Sequence, residues 1–559
     1  MKSIIIPLIS QPGIQRDGTP YDSPNYIDGQ WVRFYKGKPR KMGGYVLIDR
    51  GGLEITNSLY SISQTGNTID LYYGRPSTIA FANYNQNITS IGTEIDRTPT
   101  SNFIPNPNNT WTMDLFSGED LASDPAPTVQ YIIAHAGQNA LDISNTVNTT
   151  VFWGNAIYPA NQTQVLQSIF LSTGTGTDGI DPPYTATTTP LQISGGIVFI
   201  SPILIGWGNN GTLIWSVPGS IIFPTAAGSM TAINPLYTKV VTNNKIVRVM
   251  SARGSNVTAL GQNAPSVLIW SLNSLIRANY VTVNAIATFT TQIIQNNISI
   301  LSANSIIEYN QVFYWVGQNQ FFQFTGIVSK LNNEMNQEYF FNTLNYDYRG
   351  LIFAFANPRY DELWWCYASG DSIVPDRAVI HNIRYEIWYD TAINRSAAII
   401  PVTSSNPVMA DNLSIITKTR NLGPVTSYPI WKHEVKLDKV IDDRSYPIQS
   451  FFQTHLIDLF SNNPDNNNMI WVRRIEPDFA QNTAVPSSNM LVSIISLMYP
   501  NDQNAITYGP FIIAQNAPFI DNINAQGAIV SLRFESNSAG GFYQAGKTLL
   551  NYTIGNERK

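Results

Sequence analysis

Residues 305–391 hold three aromatic-rich hairpin units in succession, with no helical periodicity between them, and this run limits the possible folds most. The first reads SIIEYNQVFYWVGQNQFFQFTG: apolar residues from Val312 to Val316, a turn at Gly317-Gln318-Asn319, and a return through Phe321, Phe322 and Phe324. The second is LIFAFANPRYDELWWCY, in which Asn357-Pro358-Arg359 interrupts the strand before Glu362 to Tyr367. The third is RAVIHNIRYEIWY, turning near Asn382 to Arg384. Aromatic and β-branched runs of strand length, separated by short Asn, Gly and Pro turns, are the signature of hairpins. An isolated hairpin is barely stable in water, so several in series call for a sheet that is closed, stacked or radially repeated. Trp315, Trp364, Trp365 and Trp388 are the expected core of that array.

The rest of the chain reads as all-β: a degenerate β-propeller-like core with additional β-rich domains and minor helix. An N-terminal extended arm and docking segment is expected over 1–55. A propeller-like core starts at 56–100, where Leu59 to Ser63 and Ile69 to Tyr73 read as a hairpin turning at Thr65-Gly66-Asn67. Residues 101–235 read as an Asn/Thr-rich β/loop insertion, with short strands at Val129 to Ala134, Gln164 to Leu171, Ile197 to Gly206 and Thr212 to Val217. The core resumes at 236–400, and a C-terminal β-rich region occupies 401–559. The spacing in Ala264 to Asn279 (APSVLIWSLNSLIRAN) predicts one amphipathic helix, and Asn332 to Leu344 predicts a second, short one. No repeat of fixed period is present, so any propeller here is degenerate.

Charge is sparse and uneven. Charged residues make up 13% of the 559 and aromatics 12%, a balance that suits surface in contact with other protein. Lys2, Arg16, Arg33, Lys36, Lys38, Arg40, Lys41 and Arg50 crowd the first fifty residues, whereas residues 98–238 contain no Lys or Arg but six Asp and one Glu. Such a segment repels phosphate and is a poor clamp for DNA. The stretch Arg33 to Lys41, with Phe34 and Tyr35 interleaved, is the candidate docking or polyanion contact: Arg33, Lys36, Lys38, Arg40 and Lys41. A solvated turn or a seat for an acidic partner is the favoured use of these residues.

The candidates for chemistry are weak. Cys366 is the only cysteine, so neither an internal disulfide nor a Cys-based metal site can form, and a packed core thiol is expected. His433-Glu434 has no second histidine at helical spacing, which excludes an HExxH zinc helix. Gly-x-Ser-x-Gly and P-loop patterns are absent, Gly174 to Gly179 reads as a loop, and no cofactor is called for. Asp361, Glu362 and Glu386 are candidate acids for a glycan-cleaving propeller, but the repeated turn boxes of sialidase blades are missing. Met1 to Ser10 does not read as a signal peptide, and Gly195 to Gly208 is too short to span a bilayer.

Several phrases resemble the tail nozzle, or hub, proteins of short-tailed bacteriophages, also called packaged-DNA stabilisation proteins. They are Trp31 to Gly44 (WVRFYKGKPRKMGG), Phe313 to Gly317 (FYWVG), Glu362 to Trp365 (ELWW), Trp431 to Glu434 (WKHE) and Arg473 to Asp478 (RRIEPD). The resemblance spans residues 25–50 and 300–480. It implies a propeller-like protomer, a homo-hexamer around a DNA channel in the virion, and no catalysis. It further implies an adaptor and portal complex above, and fibre, spike or needle proteins as neighbours. Double-stranded DNA would pass without sequence-specific contact. The alternative is a glycan-binding or glycan-cleaving propeller that serves as a receptor-binding tail component.

Overall fold

The computed structural model describes residues 3–557 apart from 65–67, 86–89, 108, 120–127, 138–147, 157–164, 173–185, 202, 209, 217–220, 223–230, 233–236, 253–255, 258–262, 284–285, 420–422, 459–467, 482–489 and 514–518. Among these, seven antiparallel sheets follow one another along the chain as the blades of a propeller. Blade 1 is built from Ser58–Ser63, Thr68–Gly74 and Ile79–Asn85, and blade 2 from Thr112–Glu119, Thr128–His135, Val151–Asn155 and Gln167–Ser168. Blade 3 has Gly196–Ile200, Ile203–Trp207, Thr212–Trp215 and Tyr237–Val240. Blade 4 has Ile246–Ser251, Ser266–Ser271, Ser274–Val283 and Ile286–Asn296. Blade 5 has Ile307–Tyr309, Val312–Val316, Phe321–Phe324 and Val328–Leu331, and blade 6 has Phe353–Asn357, Glu362–Tyr367, Arg377–Asn382 and Ile387–Ala392. Blade 7 contains Ala397–Ile399, Val408–Ala410 and Ile430–His433, and takes Tyr45–Asp49 from before blade 1 as its next strand. The ring is therefore closed by a strand that precedes its first blade in the chain.

The first strands of the blades line the axis. They touch in order from blade 1 to blade 4, from blade 5 to blade 7, and from blade 7 back to blade 1. An axial cavity of about 340 Å³ is faced by Leu59, Met113, Val198, Arg248, Ile306, Ala354 and Ala398, one from each blade or its entry.

Period-two alternation explains why such apolar strands are needed. Successive side chains on a strand point to opposite faces, and each face here meets a neighbouring blade. In Val312–Val316, Phe313 and Trp315 enter the core shared with blade 4, while Tyr314 and Val316 enter the core shared with blade 6. In Glu362–Tyr367, Leu363, Trp365 and Tyr367 face blade 5, while Trp364 and Cys366 face the opposite core. Blade 1 repeats the device: Ile69, Leu71 and Tyr73 pack on blade 7, and Tyr72 packs on blade 2. A strand covered on both faces reads as a continuous apolar run.

The same rule corrects the helix expected over Ala264 to Asn279. That stretch is the hairpin Ser266–Ser271 and Ser274–Val283. Val267 and Ile269 bury toward blade 3, Leu268 and Trp270 toward blade 5. The Ser271 hydroxyl accepts from the backbone N–H groups of Asn273 and Ser274, which forms the turn. The second expected helix is present as Gln337–Thr343. Ile197 to Gly206, expected as one strand, is two paired strands of blade 3. The described part of residues 101–235 holds blade 2, most of blade 3 and a separate small sheet of Phe170–Ser172, Ala186–Pro190, Ile221–Ile222 and Thr231–Ala232, so two blades of the propeller lie in the stretch expected as an insertion. The turn expected at Thr65-Gly66-Asn67 and the Gly174 to Gly179 loop lie outside the described residues.

The chain termini build a second body. One sheet contains Ser3–Leu8, Val32–Tyr35, Lys38–Lys41, Asn468–Gln481, Ala525–Gly527 and Tyr543–Glu557; the other contains Asp28–Gln30, Ser450–Gln453, Met490–Leu497, Ile506–Ile513 and Ile529–Ser536. Val472, Ile475 and Leu550 of the first share one core with Phe452, Val492 and Phe534 of the second, and that core continues onto Trp364, Ile380 and Tyr389 of blade 6. Residues 3–55 thus contribute strands to this sandwich and to blade 7, together with a small two-stranded sheet of Gln11–Ile14 and Asn25–Tyr26, instead of forming an extended arm. The boundary expected at 400 falls inside blade 7. Among the described residues, no helix is long and apolar enough to cross a membrane.

Candidate functional site

The basic hairpin sits where the sandwich meets blades 6 and 7. Val32–Tyr35 and Lys38–Lys41 pair antiparallel around Lys36-Gly37, both with positive φ (52° and 73°). This is the two-residue turn whose twist matches a hairpin. The tight turn divides the five basic residues into three environments. Lys36 and Lys38 are exposed. Arg40 is half-buried, its guanidinium 5.1 Å from the Tyr35 ring and 5.2 Å from the Phe542 ring. Arg33 and Lys41 are buried, each 2% exposed.

Arg33 is therefore not a surface contact. Its Nε lies 2.9 Å from Glu362 Oε1, its Nη1 donates to Glu434 Oε2 at 3.0 Å, and its Nη2 contacts both carboxylates. The guanidinium also stacks 3.6 Å from the Tyr360 ring centroid. Burial pulls the Arg33 pKa down, but the two carboxylates outweigh it and hold the group above its ordinary value. Glu362, in turn, accepts from Tyr389 Oη (2.7 Å), Trp364 Nε1 (3.0 Å) and Asn357 Nδ2 (3.3 Å). Burial raises its pKa, against the pull of Arg33. The arrangement joins the sandwich, blade 6 and blade 7 at one buried charge cluster. Glycine permits the close approach: a Cβ on Gly44 would lie 2.2 Å from the Asp438 carbonyl oxygen, and one on Gly43 would lie 2.5 Å from Glu434 Oε2.

Outside this cluster a pocket of about 430 Å³ opens, lined by Arg40, Lys41, Arg359, Lys432, Lys436 and Glu434 among others. Lys41 lines it, but its Nζ is buried away from solvent and has no hydrogen-bond partner. Burial pushes its pKa down to about 8, with Asp438 acting in the opposite direction. Burial also lowers the pKa of Lys432. Sequence reasoning missed Arg359, Lys432 and Lys436 as members of this group. Arg359 belongs to the Asn-Pro-Arg turn and Lys432 to the WKHE phrase, so the signal lay in segments already marked for other reasons.

The other candidates are placed as follows. His433 is buried, accepts from Arg395 Nε at 3.0 Å and stacks on Tyr45; burial and the Arg395 charge hold its pKa well below the ordinary value. Asp361 accepts from Tyr309 Oη at 2.8 Å and pairs with Arg384 at 2.6 Å. Glu386 stands in the turn of blade 6 with φ 53°. Trp315, Trp364, Trp365 and Trp388 are all buried, and each indole N–H donates to an oxygen: Ser299 O, Glu362 Oε2, Ser305 O and Asn332 O. Cys366 is fully buried and its thiol pKa is raised by burial. Of the carboxylates in residues 98–238, Asp114 is the one whose side chain is described. It faces the axial cavity and accepts from Leu115 N and Phe199 N.

No protein-family model matches the chain, and no curated protein matches it. Among solved structures it is similar to an exo-β-1,3-galactanase from Phanerochaete chrysosporium with galactose, at 10% identity and a TM-score of 0.28, over 91% of this chain and 100% of that chain. A likeness at that score assigns neither fold nor activity.

Proposed function

We propose that this protein is a virion structural subunit, the nozzle of a short phage tail, working as one of about six copies around a DNA channel. One observation carries the reading. Three of the phrases that resemble nozzle proteins, far apart in the chain, supply Arg33, Glu362 and Glu434 to a single buried ion cluster. That cluster clamps a propeller to a sandwich, which is a joint suited to bearing load. The axial cavity of about 340 Å³ is far too small for a DNA duplex, so on this reading the channel runs between copies. The low charge content fits subunit seams made mainly of apolar and uncharged polar groups. Exposed Ile506, Ile512, Met498 and Tyr499 lie on or beside Ile506–Ile513, the edge strand of the sandwich. Such an edge invites pairing unless it is covered.

Imaging of the purified protein together with mass measurement tests the reading. A ring of about six copies with a central pore is expected. A persistent monomer that binds glycans on an array would overturn it in favour of a receptor-binding component.

A further inference from the structure

We infer that the chamber on the propeller axis is a binding site for a small carboxylate-bearing molecule, with Arg248 as the group that holds the anion. At about 340 Å³ the chamber is of ligand size. It adjoins a vestibule of about 770 Å³, with which it shares Asn57, Asn304 and Phe353, residues that precede or open the first strands of blades 1, 5 and 6. Exposed Leu53 and Ile373 stand in the vestibule wall, so a small molecule has a route in from one face of the ring.

A β-bulge delivers the arginine. In Ile246–Ser251, the first strand of blade 4, Ile246 pairs with Ser271 and Arg248 with Trp270, so the strand carries one extra residue at that step. Ile246 and Val249 consequently share the face toward blade 3, and Val247 and Met250 the face toward blade 5. Arg248 belongs to neither core and lines the chamber instead. Bulges re-aim side chains in this way. The half-buried Arg248 makes no hydrogen bond or ion pair with any described residue. Burial pulls its pKa below the ordinary value, and the nearby Asp114 charge offsets this only in part. Asp114 lines the same chamber, but its oxygens already accept from Leu115 N (2.8 Å), Phe199 N (2.7 Å) and Tyr60 Oη (3.3 Å). A guanidinium enclosed without an acceptor is costly, and a carboxylate in the chamber supplies two acceptor oxygens.

Charge selects the ligand. One guanidinium beside one carboxylate balances a monoanion and leaves a phosphate dianion undercompensated. The planar fork of an arginine matches a carboxylate in bidentate geometry. Asp114 retains capacity to accept from a donor on the same molecule, which a hydroxyl or an ammonium would provide. Met113, Ile306 and Ala398 line the rest of the chamber and suit a carbon skeleton. A hydroxy-carboxylate and an amino-carboxylate both carry this chemistry. The inference rests on the chamber and is independent of the assembly proposed above.

Calorimetric titration of the full chain with D-glucuronate and with L-leucine tests it. D-glucose and leucinamide, which lack the carboxylate, and inorganic phosphate are the parallel arms. Saturable binding of one molecule per chain is expected for glucuronate, for leucine or for both. Glucuronate alone would assign a hydroxyl to Asp114, and leucine alone an ammonium. Arg248→Met should lower the affinity about tenfold or more, the loss that follows from removing a charge-assisted contact. The same variant should melt no lower than the parent, because it removes a charge that has no partner in the fold. Ala398→Leu narrows the chamber with Arg248 in place, should weaken binding as well, and serves if the Arg248 variant does not fold. The inference is overturned if the folded parent binds neither probe, or if glucose, leucinamide or phosphate binds as tightly as the better probe. It is equally overturned if Ala398→Leu or a folded Arg248→Met binds like the parent.

Discussion

Arg33 carries more consequence than any other side chain in the first fifty residues, because two buried carboxylates depend on it. Replacing it with Met leaves Glu362 and Glu434 facing each other without a counter-charge. Breaking a buried pair from one side typically costs about 3–5 kcal/mol. Denaturant unfolding of Arg33→Met should show a loss of that order, and adding Glu362→Gln should recover part of it. An unchanged midpoint would remove the cluster from the account of the joint. Trp364 makes a second test, since it stacks on Phe355 and donates to Glu362. Trp364→Ala should cost about 3–5 kcal/mol, as large-to-small core changes do, and should reduce soluble, assembled protein. His135 gives a pH dependence. Its Nε2 lies 2.7 Å from Ile193 O and its Nδ1 accepts from Gly137 N at 3.0 Å, so the ring is neutral, and burial pushes its pKa down to about 4. The folded state therefore binds fewer protons than the unfolded one below the ordinary histidine value of 6.5. Stability is fully present above that pH and is lost as pH falls toward 4, by up to about 3 kcal/mol. Unfolding of the parent and of His135→Gln across this window should differ in slope, the parent being steeper. Parallel slopes would refute the neutral-histidine assignment.

At the scale of the element, Tyr45–Asp49 decides whether the ring closes. It pairs with Ile430–His433 on one side and with Lys439–Ile441 on the other, so both of its edges are hydrogen-bonded. Proline is excluded from such a central strand because it removes a ladder donor. Val46→Pro should open the seam between blades 7 and 1, seen as new protease cleavage near residues 45–75 and loss of soluble protein. Val46→Ala keeps the backbone and should be mild by comparison. Equal behaviour of the two variants would mean that closure does not depend on this strand. The blade strands show how local pattern and packing cooperate. Their alternation sends tryptophans into both flanking cores, with Trp270 against Trp315 between blades 4 and 5 and Phe321 against Trp365 between blades 5 and 6.

For the whole molecule, the proposed role predicts assembly and weak DNA binding. Each contact between copies should bury well over ~1,000 Å², as stable interfaces do, and the assembly should be a ring of about six. Duplex DNA should bind weakly, because residues 98–238 contribute no Lys or Arg and because Arg33 and Lys41 are buried. Tight translocating contact with many phosphates would make passage slow and steeply salt-dependent. The decisive measurement is DNA affinity against salt for the parent and for a variant with Lys36, Lys38 and Arg40 neutralised. Sub-micromolar, salt-sensitive binding that vanishes in the variant would make the hairpin a DNA clamp and end the smooth-conduit idea.

The sequence by itself determined the strand content, the hairpins of blades 5 and 6, the burial of their tryptophans and the short helix at Gln337–Thr343. These are local properties, written in alternation, turn residues and aromatic density over a few residues. It misread Ala264 to Asn279 because a strand buried on both faces has no polar side, and its apolar spacing then fits a helix as well. It passed over blades 2 and 3 because long Asn, Thr and Gly stretches separate their strands and look like an insertion. Tertiary structure alone decided the seven blades, the closing strand and the joint. Arg33 is 329 residues from Glu362 and 401 from Glu434, and no local pattern couples groups at such distances. Their meeting depends on ring closure, which brings the chain's start beside its seventh blade, and on a core that accepts a charge only where partners surround it.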